Sequence, residues 1–192
     1  METTRKLPRE INLPNALTLL RLVLTPVVVV LILNDSLVVA FVLFVVAAGT
    51  DYLDGLIARA YGQQTRLGAF LDPIADKVLV FAMLALLPWL SAMPLWFPAA
   101  IISRDLCLGA GVLILHMTGR HVIIDPSRMS KYATTGEFLA IGIGIAAVGG
   151  DGDVREYLGA AMLGTVVLVA VSFVDYAWRF VVALRTARAS GG

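Results

Sequence analysis

Four aspartates, Asp51, Asp54, Asp72 and Asp76, stand within residues 51 to 76 of a 192-residue chain that holds only 14 acidic side chains. Asp51 and Asp54 are spaced i, i+3 and Asp72 and Asp76 i, i+4, so on helices each pair shares one face. Carboxylates gathered in this way repel one another and lose hydration unless cations sit among them. Oxygen is the only donor type and no His or Cys is near, which favours Mg²⁺ or Mn²⁺ over zinc. Two such ions about 4 Å apart would form a clamp suited to phosphoryl chemistry.

The elements that must position these groups follow from composition. The chain is 59% hydrophobic and 15% charged, with mean hydropathy +0.86, whereas soluble domains carry about 25% charged residues. So large an apolar excess must face lipid. Apolar runs at about residues 15–33, 37–58, 68–90, 95–117, 132–149 and 157–184 are too long and too continuous for alternating barrel strands. The expected fold is an all-α integral membrane protein of six transmembrane helices, in one domain over 15–185. Residues 1–14 are a cytoplasmic juxtamembrane segment, surface-lying or disordered, and 186–192 a flexible tail.

Lys and Arg set the orientation. Arg5, Lys6 and Arg9 precede the first run, Arg59 and Arg66 flank the second connection, Arg120, Arg128 and Lys131 the fourth, and Arg185 and Arg188 the tail. The alternate connections hold only Arg155, so both termini are expected in the cytoplasm. The first run imitates a signal peptide, but no small-residue cleavage site precedes Asn34 and Asp35, and it reads as a retained helix. The aspartates then fall at the cytoplasmic ends of the second and third helices, which a short connection makes antiparallel neighbours. An alternative role, pairing with Arg59, Arg66 and Lys77, sets four acids against three bases, and membrane-embedded carboxylates are costly unless used. A net charge of +1 without a basic face argues against nucleic acid. The lone Cys107 permits neither an internal disulfide nor a structural zinc site.

Small residues complete the pattern Asp51-x2-Asp54-Gly55-x2-Ala58-Arg59-x8-Gly68-x3-Asp72-x3-Asp76. At every defined position it resembles the signature of the CDP-alcohol phosphatidyltransferases, with the resemblance extending through all six runs. It implies transfer of a phosphatidyl group from CDP-diacylglycerol to an alcohol, with release of CMP, at a divalent metal pair. By the same resemblance Asp51, Asp54 and Asp72 are metal ligands, and Asp76 both contributes to the metal site and is the candidate base. Gly55, Ala58, Arg59 and Gly68 then join Asp51 and Asp54 in the CDP-diacylglycerol pocket, and the bundle is expected to be a homodimer. A membrane prenyltransferase would need a second Asp-rich motif on a distant helix, and a cation transporter would place its carboxylates near mid-bilayer.

The acceptor alcohol is outside that motif. Residues 12–26 resemble both phosphatidylglycerophosphate synthases and CMP-forming cardiolipin synthases. Ile101-Ile102-Ser103-Arg104-Asp105 and Pro126-Ser127-x2-Ser130-Lys131-x2-Thr134 resemble the cardiolipin synthases, since phosphatidylglycerophosphate synthases usually show Arg-Glu at the first of these. That favours phosphatidylglycerol as acceptor, giving cardiolipin, with glycerol 3-phosphate the alternative. Either acceptor carries a phosphate, for which Arg104, Arg120, Arg128 and Lys131 are the available cations. Arg104 could instead pair with Asp105 or Asp175, and Arg21 and Arg179 could snorkel or pair internally.

Overall fold

The computed structural model describes residues 13–61, 66–117, 128–150 and 152–189, with side chains for 18–49, 74–111, 113–114, 117, 129–150 and 152–182. Among the described residues all regular structure is helical, in the order α1 (Leu13–Leu33), α2 (Leu37–Tyr61), α3 (Arg66–Trp89), α4 (Trp96–Met117), α5 (Arg128–Ala147) and α6 (Gly152–Ala189). Hydropathy locates these helices and misplaces their polar ends. α5 begins at Arg128, before the apolar run, because its first turns are polar and self-bonded. The Thr134 and Thr135 hydroxyls donate to the carbonyls of Ser130 and Lys131 at 3.2 and 3.0 Å. α6 starts with Asp153 in its first turn, where a carboxylate meets the positive end of the helix dipole, and runs on through Ala189.

The chain divides into two compact units, Met1–Leu86 and Leu87–Gly192. In the first, α1 packs against α2. Among the described side chains, Thr18, Arg21, Thr25, Val28 and Ile32 are the buried residues of α1, spaced three and four apart, and Ala40, Phe44 and Ala47 those of α2. The helix ends by the same device as α3 does. Ser36 N–H donates to Leu31 O at 2.9 Å and Asp35 N–H to Ile32 O at 3.1 Å. Ala92 N–H donates to Leu87 O and Ser91 N–H to Pro88 O, both at 3.0 Å. These are Schellman closures, which require a left-handed residue. Here Asp35 and Ser91, each at φ 55°, take the position glycine usually fills.

In the second unit α4 and α5 each pack on α6. Arg104 reaches Ser172, and Tyr176 donates to Leu108 O at 3.3 Å; both pairs are 68 residues apart. A constant separation means that α4 and α6 run parallel. α5 runs the other way: Ser130 meets Ser172 through Arg104, while six residues on, Gly136 faces Thr165. A Cβ on Gly136 would lie 2.8 Å from Thr165 Oγ1, so the absent side chain is what lets α5 approach α6. This alternation is the one an up-and-down chain through a bilayer requires.

The outer surfaces are apolar. Val38, Leu95, Tyr157 and Trp178 are 77, 78, 69 and 68% exposed, with Val23, Val30, Val39, Leu163, Val167 and Val174 more than half exposed. Rows of this kind mark lipid or partner surface. By length and composition Gly152–Val182 is long and apolar enough to cross a membrane, and Thr18–Leu33 and Leu37–Gly49 are shorter apolar helices.

Candidate active site

Asp51 and Asp54 lie on α2 and Asp72 and Asp76 on α3, as the spacing predicts. The side chains of Asp51, Asp54, Gly55, Ala58, Arg59, Gly68 and Asp72 fall outside the described ones; their backbones are helical. From Tyr61 to Arg66 is five steps, at most about 18 Å of chain. Measured back along α2, Asp54 is about 10 Å and Asp51 about 15 Å from Tyr61; along α3, Asp72 is about 9 Å and Asp76 about 15 Å from Arg66.

Asp76 is half-buried and its Oδ1 is shielded from solvent. The neighbouring Lys77 directs its ammonium over the Phe81 ring, 5.8 Å from the centroid. Among the described residues no group of three His, Cys, Asp or Glu side chains is assembled. The carboxylates expected to complete such a group with Asp76 lie outside them. An all-oxygen donor set with a half-buried member fits a hard divalent cation.

One turn before Asp51, α2 receives a buried cation. Arg21 is 0% exposed, and its Nε donates to Ala47 O at 3.2 Å. Of the two fates open to Arg21 from sequence, the internal one is realised. Its neighbour Thr25 donates to Arg21 O at 2.9 Å, a local bond that needs no solvent.

Of the candidate acceptor cations, Arg104 and Lys131 have described side chains. Arg104 is 7% exposed, and its Nη1 donates to Asp105 Oδ1 at 2.8 Å. Its Nη2 donates to Ser130 Oγ at 2.8 Å and Ser172 Oγ at 3.1 Å. Asp175 instead pairs with Arg179 at 3.1 Å on the exposed side of α6. Lys131 is exposed on the first turn of α5. Arg120 and the Arg128 side chain lie outside the described residues. Two polar positions went unnoticed in the sequence: Ser172, inside an apolar run, and Glu137, 1% exposed on α5. A lone serine carries no signal of its partner in a segment read for hydropathy. Glu137, a carboxylate in an apolar stretch, could have been flagged on cost alone.

The family profile of CDP-alcohol phosphatidyltransferases matches residues 11–174, which include both aspartate pairs and all of α4 and α5. The chain belongs to this family. Among curated relatives of this phosphatidyltransferase, a probable phosphatidylglycerophosphate synthase of Mycobacterium tuberculosis (strain CDC 1551 / Oshkosh) is 37% identical over 175 residues, covering 88% of this chain and 81% of the relative. The CDP-diacylglycerol–glycerol-3-phosphate 3-phosphatidyltransferase of Aquifex aeolicus (strain VF5) is 34% identical over 169 residues, 86% of this chain and 93% of its own. That of Bacillus subtilis (strain 168) is 34% identical over 145 residues, 68% and 74% respectively. The phosphatidyltransferase acts in phospholipid biosynthesis, and two of these relatives are named for a glycerol 3-phosphate acceptor. Asp105 serves as the internal counter-ion of Arg104.

Proposed function

We propose that this membrane enzyme transfers the phosphatidyl group of CDP-diacylglycerol to glycerol 3-phosphate, releasing CMP. The observation that carries this reading is the 37% identity, over 88% of the chain, to a relative named a probable phosphatidylglycerophosphate synthase. In the reaction the acceptor hydroxyl oxygen attacks the phosphorus that bears the diacylglycerol. The bond from that phosphorus to the oxygen shared with CMP breaks, and CMP leaves with the electron pair.

Asp51, Asp54, Asp72 and Asp76 would hold a pair of Mg²⁺ or Mn²⁺ ions, and divalent metals are general in the family. Bound there, such ions neutralise charge on the diphosphate and stabilise the leaving phosphate. The placing of Asp51 and Asp54 on one face of α2, and of Asp72 and Asp76 on one face of α3, supports this ligand set. Asp76 takes the proton of the attacking hydroxyl. Gly55, Ala58, Arg59 and Gly68 line the nucleotide end, where small residues leave room beside the carboxylates. Arg120, Arg128 and Lys131 supply charge for the acceptor phosphate.

All six helices cross the bilayer in this reading, with 15–185 as the membrane domain, both termini and the aspartates on the cytoplasmic side, and a homodimer as the assembly. The opposed directions of α5 and α6 and the parallel run of α4 and α6 support that topology. The deciding experiment is product analysis of purified enzyme given CDP-diacylglycerol with glycerol 3-phosphate and with phosphatidylglycerol in parallel. Phosphatidylglycerophosphate and CMP are the expected products. Cardiolipin formed only from phosphatidylglycerol would install the second reading, which the Pro126 to Thr134 resemblance supports.

A further inference from the structure

We propose that Arg104 is a positioning residue for acceptor recognition: by bridging Ser130 and Ser172 it holds the first turn of α5, and with it Lys131, against α6. The inference rests on the reading that Lys131 meets the phosphate of glycerol 3-phosphate.

Arg104 belongs to α4, Ser130 to α5 and Ser172 to α6. The two N–H bonds of a single nitrogen, Nη2, are divided between hydroxyls of two other helices. The opposite nitrogen is held by Asp105, which fixes the plane of the guanidinium. Arg104 and Ser172 are 7% and 1% exposed, and Arg104 Nε is shielded from solvent with no partner among the described residues. A guanidinium so enclosed and so used acts on the acceptor through what it holds.

What it holds is the start of α5. Ser130 is followed directly by Lys131, exposed and on the same turn, and α5 begins at Arg128. α4 continues about 20 Å past Arg104 along its axis, and α6 about 25 Å past Ser172. Both therefore run on beyond the level of Lys131. The first turn of α5 begins part-way along two longer helices, where a bond to each is the means of fixing its height and rotation. Lys131 is a flexible point charge on a long stem, so its reach is set by where its backbone is held. Neither lysine nor methionine at position 104 can reproduce the planar fork that spans two hydroxyls.

The test is a double-mutant cycle on purified full-length enzyme in detergent, with KM for glycerol 3-phosphate and for CDP-diacylglycerol measured separately. Ser172→Ala removes one hydroxyl and little volume, and Arg104→Lys keeps the charge without the fork. Each is expected to raise KM for glycerol 3-phosphate on the order of tenfold, as loss of a charge-assisted hydrogen bond would, with KM for CDP-diacylglycerol unchanged. In a Lys131→Ala background, itself raised in the same KM, neither substitution adds a further increase. Independent, multiplicative effects would overturn the positioning role and favour direct contact by Arg104. Loss of thermal stability with both KM values unchanged would reduce the network to a structural clamp and likewise overturn it. If Lys131→Ala alone leaves KM for glycerol 3-phosphate unchanged, the reading of Lys131 as an acceptor contact fails first, and the proposal with it.

Discussion

Arg21 Nε lies 3.2 Å from the carbonyl of Ala47, and in a regular helix that same carbonyl receives the N–H of Asp51. A fully buried guanidinium thus shares an acceptor with the backbone of a proposed metal ligand. Arg21→Met keeps length and removes the charge, a change that buried sites often tolerate in stability. It is expected to leave the thermal midpoint in detergent nearly unaltered and to weaken Mn²⁺ binding about 10- to 100-fold, as loss of an outer-shell partner does. Mn²⁺ titration followed by electron paramagnetic resonance reads this without turnover. Equal Mn²⁺ affinity in the two proteins would assign Arg21 to helix pairing alone.

Gly136 and Gly144 make a paired test of helix packing. A Cβ at 136 meets the Thr165 hydroxyl at 2.8 Å, and that hydroxyl is tied to Ala161 O at 2.7 Å. At 144 it meets Leu87 Cδ1 at 2.8 Å and Met93 Cε at 3.2 Å, the free ends of flexible side chains. Gly136→Ala is expected to destabilise by about 1 to 3 kcal/mol, the usual cost of overpacking, and Gly144→Ala by less. Adding Thr165→Ala should recover most of the loss at 136 and none at 144, a difference that detergent melting curves resolve.

Metal dependence separates the aspartates by role. Excess EDTA is expected to abolish turnover, and Asp72→Asn to abolish it in the presence of metal while the protein still folds. Asp76→Asn, if Asp76 accepts the hydroxyl proton, lowers the chemical step by about 10² to 10⁴ more than it lowers CDP-diacylglycerol affinity. Parallel loss of metal binding, nucleotide binding and rate would make Asp76 a ligand only.

The sequence marks the candidate reactive groups better than it marks their supports. Asp51, Asp54, Asp72 and Asp76 are legible because four acids in an apolar chain are anomalous and their spacing already encodes a helical face. Arg104 is equally anomalous, yet its bonds go to serines 26 and 68 residues away, and no local rule pairs residues at such separations. The helix ends at Asp35 and Ser91 are legible as turns from Asn34 and Ser36 in the one case and from Pro88 and Pro94 in the other. Their left-handed conformation is not, since neither is glycine. Polar first turns, as in α5, are invisible to a reading that follows hydropathy alone.

Membrane topology can be checked with the chain's own economy of thiols. Cys107 is the only cysteine, so Cys107→Ser gives a thiol-free background. Leu95→Cys, at a site 78% exposed, and Asp153→Cys, also exposed, are expected to react with an impermeant maleimide added outside spheroplasts. Ser190→Cys is expected to react only after permeabilisation. Labelling of Leu95→Cys and Ser190→Cys from the same side would contradict the three crossings expected between them.

The apolar stretch of α6, Gly152–Val182, is 31 residues long, about 46 Å of helix against a hydrocarbon layer of about 30 Å. A segment half as long again as that layer fits it at more than one tilt. It accommodates a thicker or thinner bilayer by changing its tilt, at a modest cost per ångström of mismatch. The Asp175–Arg179 pair rides along the helix with its charges already matched. A stretch of this length is thus compatible with bilayers of more than one thickness.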